Sequence, residues 1–225
     1  MHPNRRSGIT LAVSAALAFA LLGTVGACSS PASSHSNSSS SFVVDSAPSS
    51  LFDGDQLPKP FAEPDVTLTD SSGKPFNLVQ GTAGKLTLVY FGYTHCPDVC
   101  PTTMATLAAA LRSLTPAQAA RTDVVFVSTD PERDTPAVLH AWLGQYDPAF
   151  IGLTGSFATI QKAAAALAIA IEPPVAQPGG GYTVTHGAEV IAFDAKGRGD
   201  LVYTAGTTVA QFQHDLPLLL AGRDE

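Results

Sequence analysis

The sequence predicts an α/β fold: a central mixed sheet flanked by helices, with an N-terminal hairpin and additional insertions. Three features carry that prediction. Residues 86–91, Leu-Thr-Leu-Val-Tyr-Phe, form a continuous apolar run of strand length, the pattern of a strand covered on both faces. After it, short strand-like runs alternate with Ala- and Leu-rich segments that open on helix-capping residues. Two later runs, 190–193 and 201–203, flank Asp194-Ala195-Lys196-Gly197, a hairpin turn signal.

Taken in order, residues 65–69 and 74–78 flank the turn cluster Asp70-Ser71-Ser72-Gly73 and predict the N-terminal hairpin. Strand 86–91 runs directly into Gly92-Tyr93-Thr94-His95-Cys96, and alanines and leucines favour a helix over 101–114, so Cys96 and Cys100 lie on a loop entering that helix. Residues 123–128 read as the next strand. Thr135 caps a helix that has Pro136 at its first position and reaches about residue 146. A short strand at 150–153, a helix capped by Ser156 to about 166, and a further strand at 168–171 follow. Residues 173–181 are a Pro/Gly-rich loop. A final helix starts near Thr208, with Pro217 expected to bend or end it.

At 225 residues with 45% hydrophobic content and no internal repeat, the chain supports one buried core. Its first 27 residues read as an export signal: Arg5 and Arg6 form a basic start, and residues 9–22 are almost wholly apolar but short for a membrane span. Val25-Gly26-Ala27-Cys28 resembles the bacterial lipobox, which makes Cys28 the lipidated new N-terminus. Residues 28–56, Ser-rich at first, form a flexible tether, and residues 57–222 form the folded domain. The protein is therefore expected to be exported and held by a lipid anchor on the outer face of the cytoplasmic membrane. Two of twelve basic residues fall in the signal, leaving ten against nineteen acids, a charge of −9. An acidic domain is a poor partner for nucleic acid or anionic lipid, so the anchor rather than a basic patch must hold it at the membrane.

With Cys28 assigned to lipid, Cys96 and Cys100 are the remaining pair, open to three readings: a disulfide, a redox couple or a metal site. Residues at i and i+4 on a helical turn have Cβ atoms about 5–6 Å apart, close enough to share one ion, whereas a disulfide wants about 3.5–4.5 Å. A helix start also favours thiolates.

The segment Phe91-Gly92-Tyr93-Thr94-His95-Cys96-Pro97-Asp98-Val99-Cys100-Pro101 closely resembles the signature of the Sco/SenC family of copper chaperones. Ser128-Thr129-Asp130-Pro131-Glu132-Arg133-Asp134-Thr135 is similar to the family's acidic loop, His186 precedes a strand, and a Phe-Asp-x-x-Gly turn follows. The resemblance covers most of residues 60–220 and implies a thioredoxin-like fold. It also implies that Cys96, Cys100 and His186 bind copper, as Cu(I) or Cu(II), and that the recipient is the dinuclear copper site of cytochrome c oxidase subunit II. A thiol reductant would keep the pair reduced. The ligand chemistry agrees, because thiolates prefer Cu(I) and imidazole suits either state. The resemblance further places the loop of Asp130 and Asp134 beside the site, where it can meet a partner. Blandly read, both are turn and capping residues. Asp98 either caps the helix or shapes the face a partner reads, and Tyr93 packs beneath the site. His95 is expected to point away from the cysteines. Thr185 and Gly187 depart from the acidic and hydroxyl residues the family often has beside this histidine, which leaves Glu189 as a candidate to orient its ring.

A copper carrier need not be an enzyme. The alternative is a thiol-disulfide reductase that maintains the oxidase's copper-ligand cysteines, which the fold supports. Against general redox exchange, three residues rather than two separate the cysteines, and residues 182–190 hold no proline where redox relatives place a cis-proline. A thiol peroxidase ranks lower, since its Pro-x-x-x-Thr/Ser-x-x-Cys pattern is absent.

Overall fold

The computed structural model describes residues 50–222. The expected signal, the lipid-attachment Cys28 and most of the tether lie outside the described residues.

The chain begins with β1 (Asp55–Ala62), β2 (Thr67–Asp70) and β3 (Pro75–Asn77), followed by the one-turn α1 (Leu78–Gly81). Then come β4 (Leu86–Gly92), α2 (Val99–Leu111), the short α3 (Pro116–Ala119), β5 (Thr122–Ser128), α4 (Pro136–Leu143), β6 (Ile151–Thr154) and α5 (Phe157–Ala166). A small ribbon of β7 (Val175–Ala176) and β8 (Tyr182–Thr183) precedes β9 (Val190–Phe193), β10 (Arg198–Tyr203) and α6 (Val209–Leu220). The main sheet has the order β1-β10-β9-β4-β5-β6-β2-β3, and the ribbon forms a separate two-stranded sheet. The β4/β5 and β5/β6 pairs are parallel and the other pairs antiparallel, so the sheet is mixed.

Strand periodicity divides the core into two layers. From β4 and β5, Leu88, Tyr90, Val124 and Phe126 pack with Met104 and Leu107 of α2, Leu139 of α4 and Phe212 of α6. Val89, Phe91, Val125 and Val127 face the other way, onto Ile160, Ala163 and Ala164 of α5. Both faces of these central strands are dry, which is why their sequences lack polar alternation. Trp142 is partly buried and packs on the first layer.

The hairpins, the central strands, the helix caps at Thr135 and Ser156 and the start of the last helix at Thr208 lie where the sequence places them. Several boundaries differ. Helix α2 starts at Val99, two residues ahead of Pro101, because the first turn of a helix has no intrahelical use for its N–H groups and tolerates proline there. Helix α4 ends at Leu143, where Gly144 is the C-cap. Residues 168–171 are not a strand: Ala168 takes a left-handed conformation (φ 58°) after α5, and Ile169 and Ile171 cover the sheet without joining its ladder. Helix α6 continues through Pro217 to Leu220.

Strand β1 escapes sequence reading because Pro58 and Pro60 argue against a strand. It lies at the sheet edge, where missing donors are tolerated, and its pairing with β10 shifts register between Gln56 and Phe61. Packing begins ahead of residue 57. Phe52 is buried, and the backbone N–H groups of Asp53 and Gly54 donate to the carboxylate of Asp215 on α6 at 3.0 and 2.9 Å. No helix among the described residues is long and apolar enough to cross a membrane.

Candidate metal centre

At the end of β4 the chain leaves the sheet through Gly92, turns back at Cys96, whose N–H donates to Tyr93 O (3.2 Å), and enters α2. Cys96 therefore sits on the loop, 8% exposed, while Cys100 is in the first helical turn and fully buried. Glycine is required at position 92. A Cβ there would stand 2.6 Å from Tyr90 Cε1 and 2.8 Å from Cys100 Sγ.

His186 arrives from the segment between β8 and β9, placing Nε2 3.6 Å from Cys96 Sγ. The donor atoms of Cys96, Cys100 and His186 all lie within 4.8 Å of one another, and both cysteines are free thiols. Sulfur and nitrogen donors about 2.0–2.3 Å from a shared ion stand several ångströms apart, so this spacing suits one small metal ion. The ring is oriented by its own neighbour: Nδ1 faces the carbonyl of Gly187, which can only accept, so Nδ1 carries the proton and Nε2 keeps its lone pair toward the sulfurs. Glu189 does not orient the ring, since its carboxylate accepts from the Ala188 N–H at 2.9 Å. Tyr93 meets the imidazole edge-on at a centroid distance of 5.3 Å.

For Cys100 the expectation of an acidified thiol is corrected. Burial pushes it up to about 12, outweighing the hydrogen bonds from Tyr90 and the Tyr93 backbone, while the neighbouring Cys96 adds to the rise. The Tyr90 hydroxyl donates to Cys100 Sγ at 3.4 Å from within the core.

Asp130 and Asp134 are fully buried, which no turn or cap would require. The cap of α4 is Thr135. Asp134 instead accepts from Thr94 N (3.0 Å), Thr94 Oγ1 (2.6 Å) and Ser128 Oγ (2.7 Å), tying the cysteine loop to the end of β5. Asp130 accepts from Tyr182 Oη at 2.8 Å and from Arg133 Nε, whose guanidinium lies 4.0 Å from the Tyr182 ring centroid and 6.0 Å from that of Tyr93. The Tyr182 phenol is pushed up to about 12, by desolvation first and then by its bond to Asp130.

Asp98 is exposed at the N-cap of α2 and makes no side-chain capping bond. The exposed His95 places Nδ1 3.1 Å from Thr94 Oγ1 and 4.0 Å from Asp134 Oδ1. His140 and His214 lie exposed on helices. Sequence reading missed Tyr90, Thr94, Ser128, Arg133 and Tyr182 as supports of the site. The one usable signal was polar and aromatic residues inside otherwise explained motifs; the partners of Thr94 and Tyr182 lie forty and fifty-two residues away, and those of Tyr90, Ser128 and Arg133 are near in sequence but meet them only in the folded chain.

The SCO1/SenC family model matches residues 54–220. Protein SCO2 of Saccharomyces cerevisiae mitochondria is 34% identical over 132 residues, 58% of this chain and 44% of that protein, so the chain spans less than half of that relative's length. Among solved structures, copper-bound ScoI of Bradyrhizobium japonicum is 35% identical with a TM-score of 0.61, covering 72% of this chain and 98% of that one. A SCO1/SenC family lipoprotein from Bacillus anthracis is 25% identical, also at a TM-score of 0.61, covering 72% and 98%. These neighbours share the thioredoxin-like arrangement described above. With a family model spanning the folded domain and the cysteine motif, acidic loop and histidine converging at one place, the chain belongs to the SCO1/SenC family.

Proposed function

We propose that this protein is an extracytoplasmic copper metallochaperone, in which reduced Cys96 and Cys100 with His186 bind one copper ion and pass it to the dinuclear copper site of cytochrome c oxidase subunit II. The observation that carries the reading is the convergence of two free thiols and an imidazole with a lone pair directed inward, all within 4.8 Å. Two soft sulfurs and one imidazole are a donor set for copper rather than for magnesium or calcium, which take oxygen. With one donor on a loop and another on the segment between β8 and β9, the set can exchange ligands with an acceptor. The oxidase as recipient, the thiol reductant and the lipid anchor at Cys28 rest on the family resemblance and on the N-terminal sequence.

Copper titration of reduced residues 51–225, beside Cys96→Ala, Cys100→Ala and His186→Ala, tests the site. One ion per chain with thiolate-to-copper charge-transfer absorption is expected, lost or markedly weakened in each variant. No tight binding by the reduced wild type would sink the carrier reading.

One observation favours the thiol-disulfide reading as a second role. Cys96 keeps 8% of its surface exposed while Cys100 has none and its thiol is pushed up to about 12, the asymmetry of an attacking and a resolving thiol. In that role the two thiols become a disulfide as the partner's disulfide becomes two thiols, and His186→Ala should leave the exchange rate intact.

A further inference from the structure

His186, like Cys96, lies outside the regular elements, and its segment is fastened separately from the cysteine loop. It lies four residues before Val190 of β9, and on its other side the chain runs through Val184 and Thr185 into the β7/β8 ribbon. That ribbon belongs to no larger sheet and exposes Val175 at 57%. A two-stranded ribbon of this size is marginal in water and needs an external fastening. One fastening is visible at Tyr182. Its hydroxyl donates to the fully buried Asp130, and its ring is covered by the Arg133 guanidinium, which also bonds Asp130. Arg133 reaches toward the Tyr93 ring as well, and Tyr93 touches the His186 imidazole.

We infer that Asp130, Arg133 and Tyr182 form a latch that positions His186, so that the fastening of the β7/β8 ribbon governs whether copper is held by three donors or by the two cysteines alone. This inference rests on the copper reading above and concerns its regulation. The division of labour follows from the hydrogen bonds. Asp134 fastens the cysteine loop through Thr94, and Asp130, four residues earlier, fastens the ribbon that leads to the histidine. One acidic loop thus sets the distance between the two halves of the site, which are ninety residues apart in sequence. A partner that engages the exposed ribbon or competes for Arg133 would free the imidazole and leave a two-thiolate ion open to attack by its own ligands. Tyr182, Arg133 and Asp130 are positioning residues: none supplies a donor.

The test is a double-mutant cycle on the purified chain. Tyr182→Phe removes only the hydroxyl and keeps the ring, and Arg133→Lys keeps the charge but loses the planar fork; each is measured with His186 present and with His186→Ala. Supporting groups of metal ligands typically change affinity by about tenfold or more. Each change is therefore expected to weaken copper binding about tenfold with His186 present and to have no further effect once His186 is gone. Equal weakening in both backgrounds, or no weakening in either, overturns the latch. Nuclear magnetic resonance of the His186 ring in the metal-free chain supplies a readout that does not depend on copper. Broadened or shifted His186 signals in Tyr182→Phe are expected, and unchanged signals overturn the inference. If the wild type binds no copper yet His186 responds to Tyr182→Phe, the latch stands and the copper reading fails.

Discussion

Cys96 Sγ and His186 Nε2 lie 3.6 Å apart across ninety residues of sequence, and nothing local to either residue brings them together. Their meeting depends on β4 and β9 being antiparallel neighbours: Tyr90, near the end of β4, is opposite Val190, at the start of β9. The loop leaving β4 and the segment entering β9 must then emerge at the same end of the sheet.

Gly92→Ala should disrupt the site without touching a donor. The added methyl would overlap Tyr90 Cε1 and Cys100 Sγ in a buried position. A loss of about 1–3 kcal/mol in urea unfolding is expected, the usual range for overpacking. Copper stoichiometry should fall as Cys100 is displaced, and an unaltered midpoint with full copper binding would contradict the clash.

Asp134→Ala should cost about 3 kcal/mol, since it leaves the Thr94 N–H and two hydroxyls without their charged acceptor in the interior. Its effect on the site should be specific to the cysteine loop. Alkylation of Cys96 in the variant, followed by mass spectrometry, should accelerate relative to wild type.

Tyr90→Phe keeps the buried ring and removes the one hydroxyl that donates to Cys100 Sγ. That bond holds the Cys100 thiol lower than burial alone would place it. Without it the thiolate is harder to form, and copper affinity near neutral pH should drop about tenfold with a shifted charge-transfer band. An unchanged band would show that the hydroxyl does not reach the metal-bound sulfur.

Stability should carry a histidine-dependent pH signature far from the copper site. His214 Nδ1 lies 2.7 Å from Asp215 Oδ1 and 3.7 Å from Asp53 Oδ2, and the Asp215 bond raises its pKa above the ordinary 6.5, with Asp53 adding to the rise. Because the folded chain holds this proton more tightly than the unfolded chain, the contribution is fully present below pH 6.5 and is lost as the pH rises through the higher folded value. Thermal midpoints measured across that window should decline less steeply in His214→Gln than in wild type. Parallel profiles for the two proteins would rule the interaction out.

Much of this was legible in the sequence for identifiable physical reasons. The apolar run of β4, the turn before β10, the caps at Thr135 and Ser156 and the helix start near Thr208 are local signals, and the structure realises each of them. Residues 168–171 misled because an apolar run reports burial, and Ile169 and Ile171 are buried beside the sheet rather than in it. Strand β1 was hidden because its prolines are acceptable only at an edge, and edge position is a property of the assembled sheet.

By itself the sequence determined the chemistry on offer: two cysteines at helical spacing, a histidine ahead of a strand, an acidic loop, and an alternation of strands and helices able to bury a central sheet. Only the tertiary structure decided how that chemistry is tuned and held. It buries Cys100 deeply enough for dehydration to outweigh the helix start, turns His186 so that Gly187 rather than Glu189 fixes its ring, and converts Asp130 and Asp134 from turn residues into the anchors of two separate segments. Burial and hydrogen-bond partnership depend on what the rest of the chain places around a residue, and for these residues the decisive neighbours lie up to fifty-two positions away.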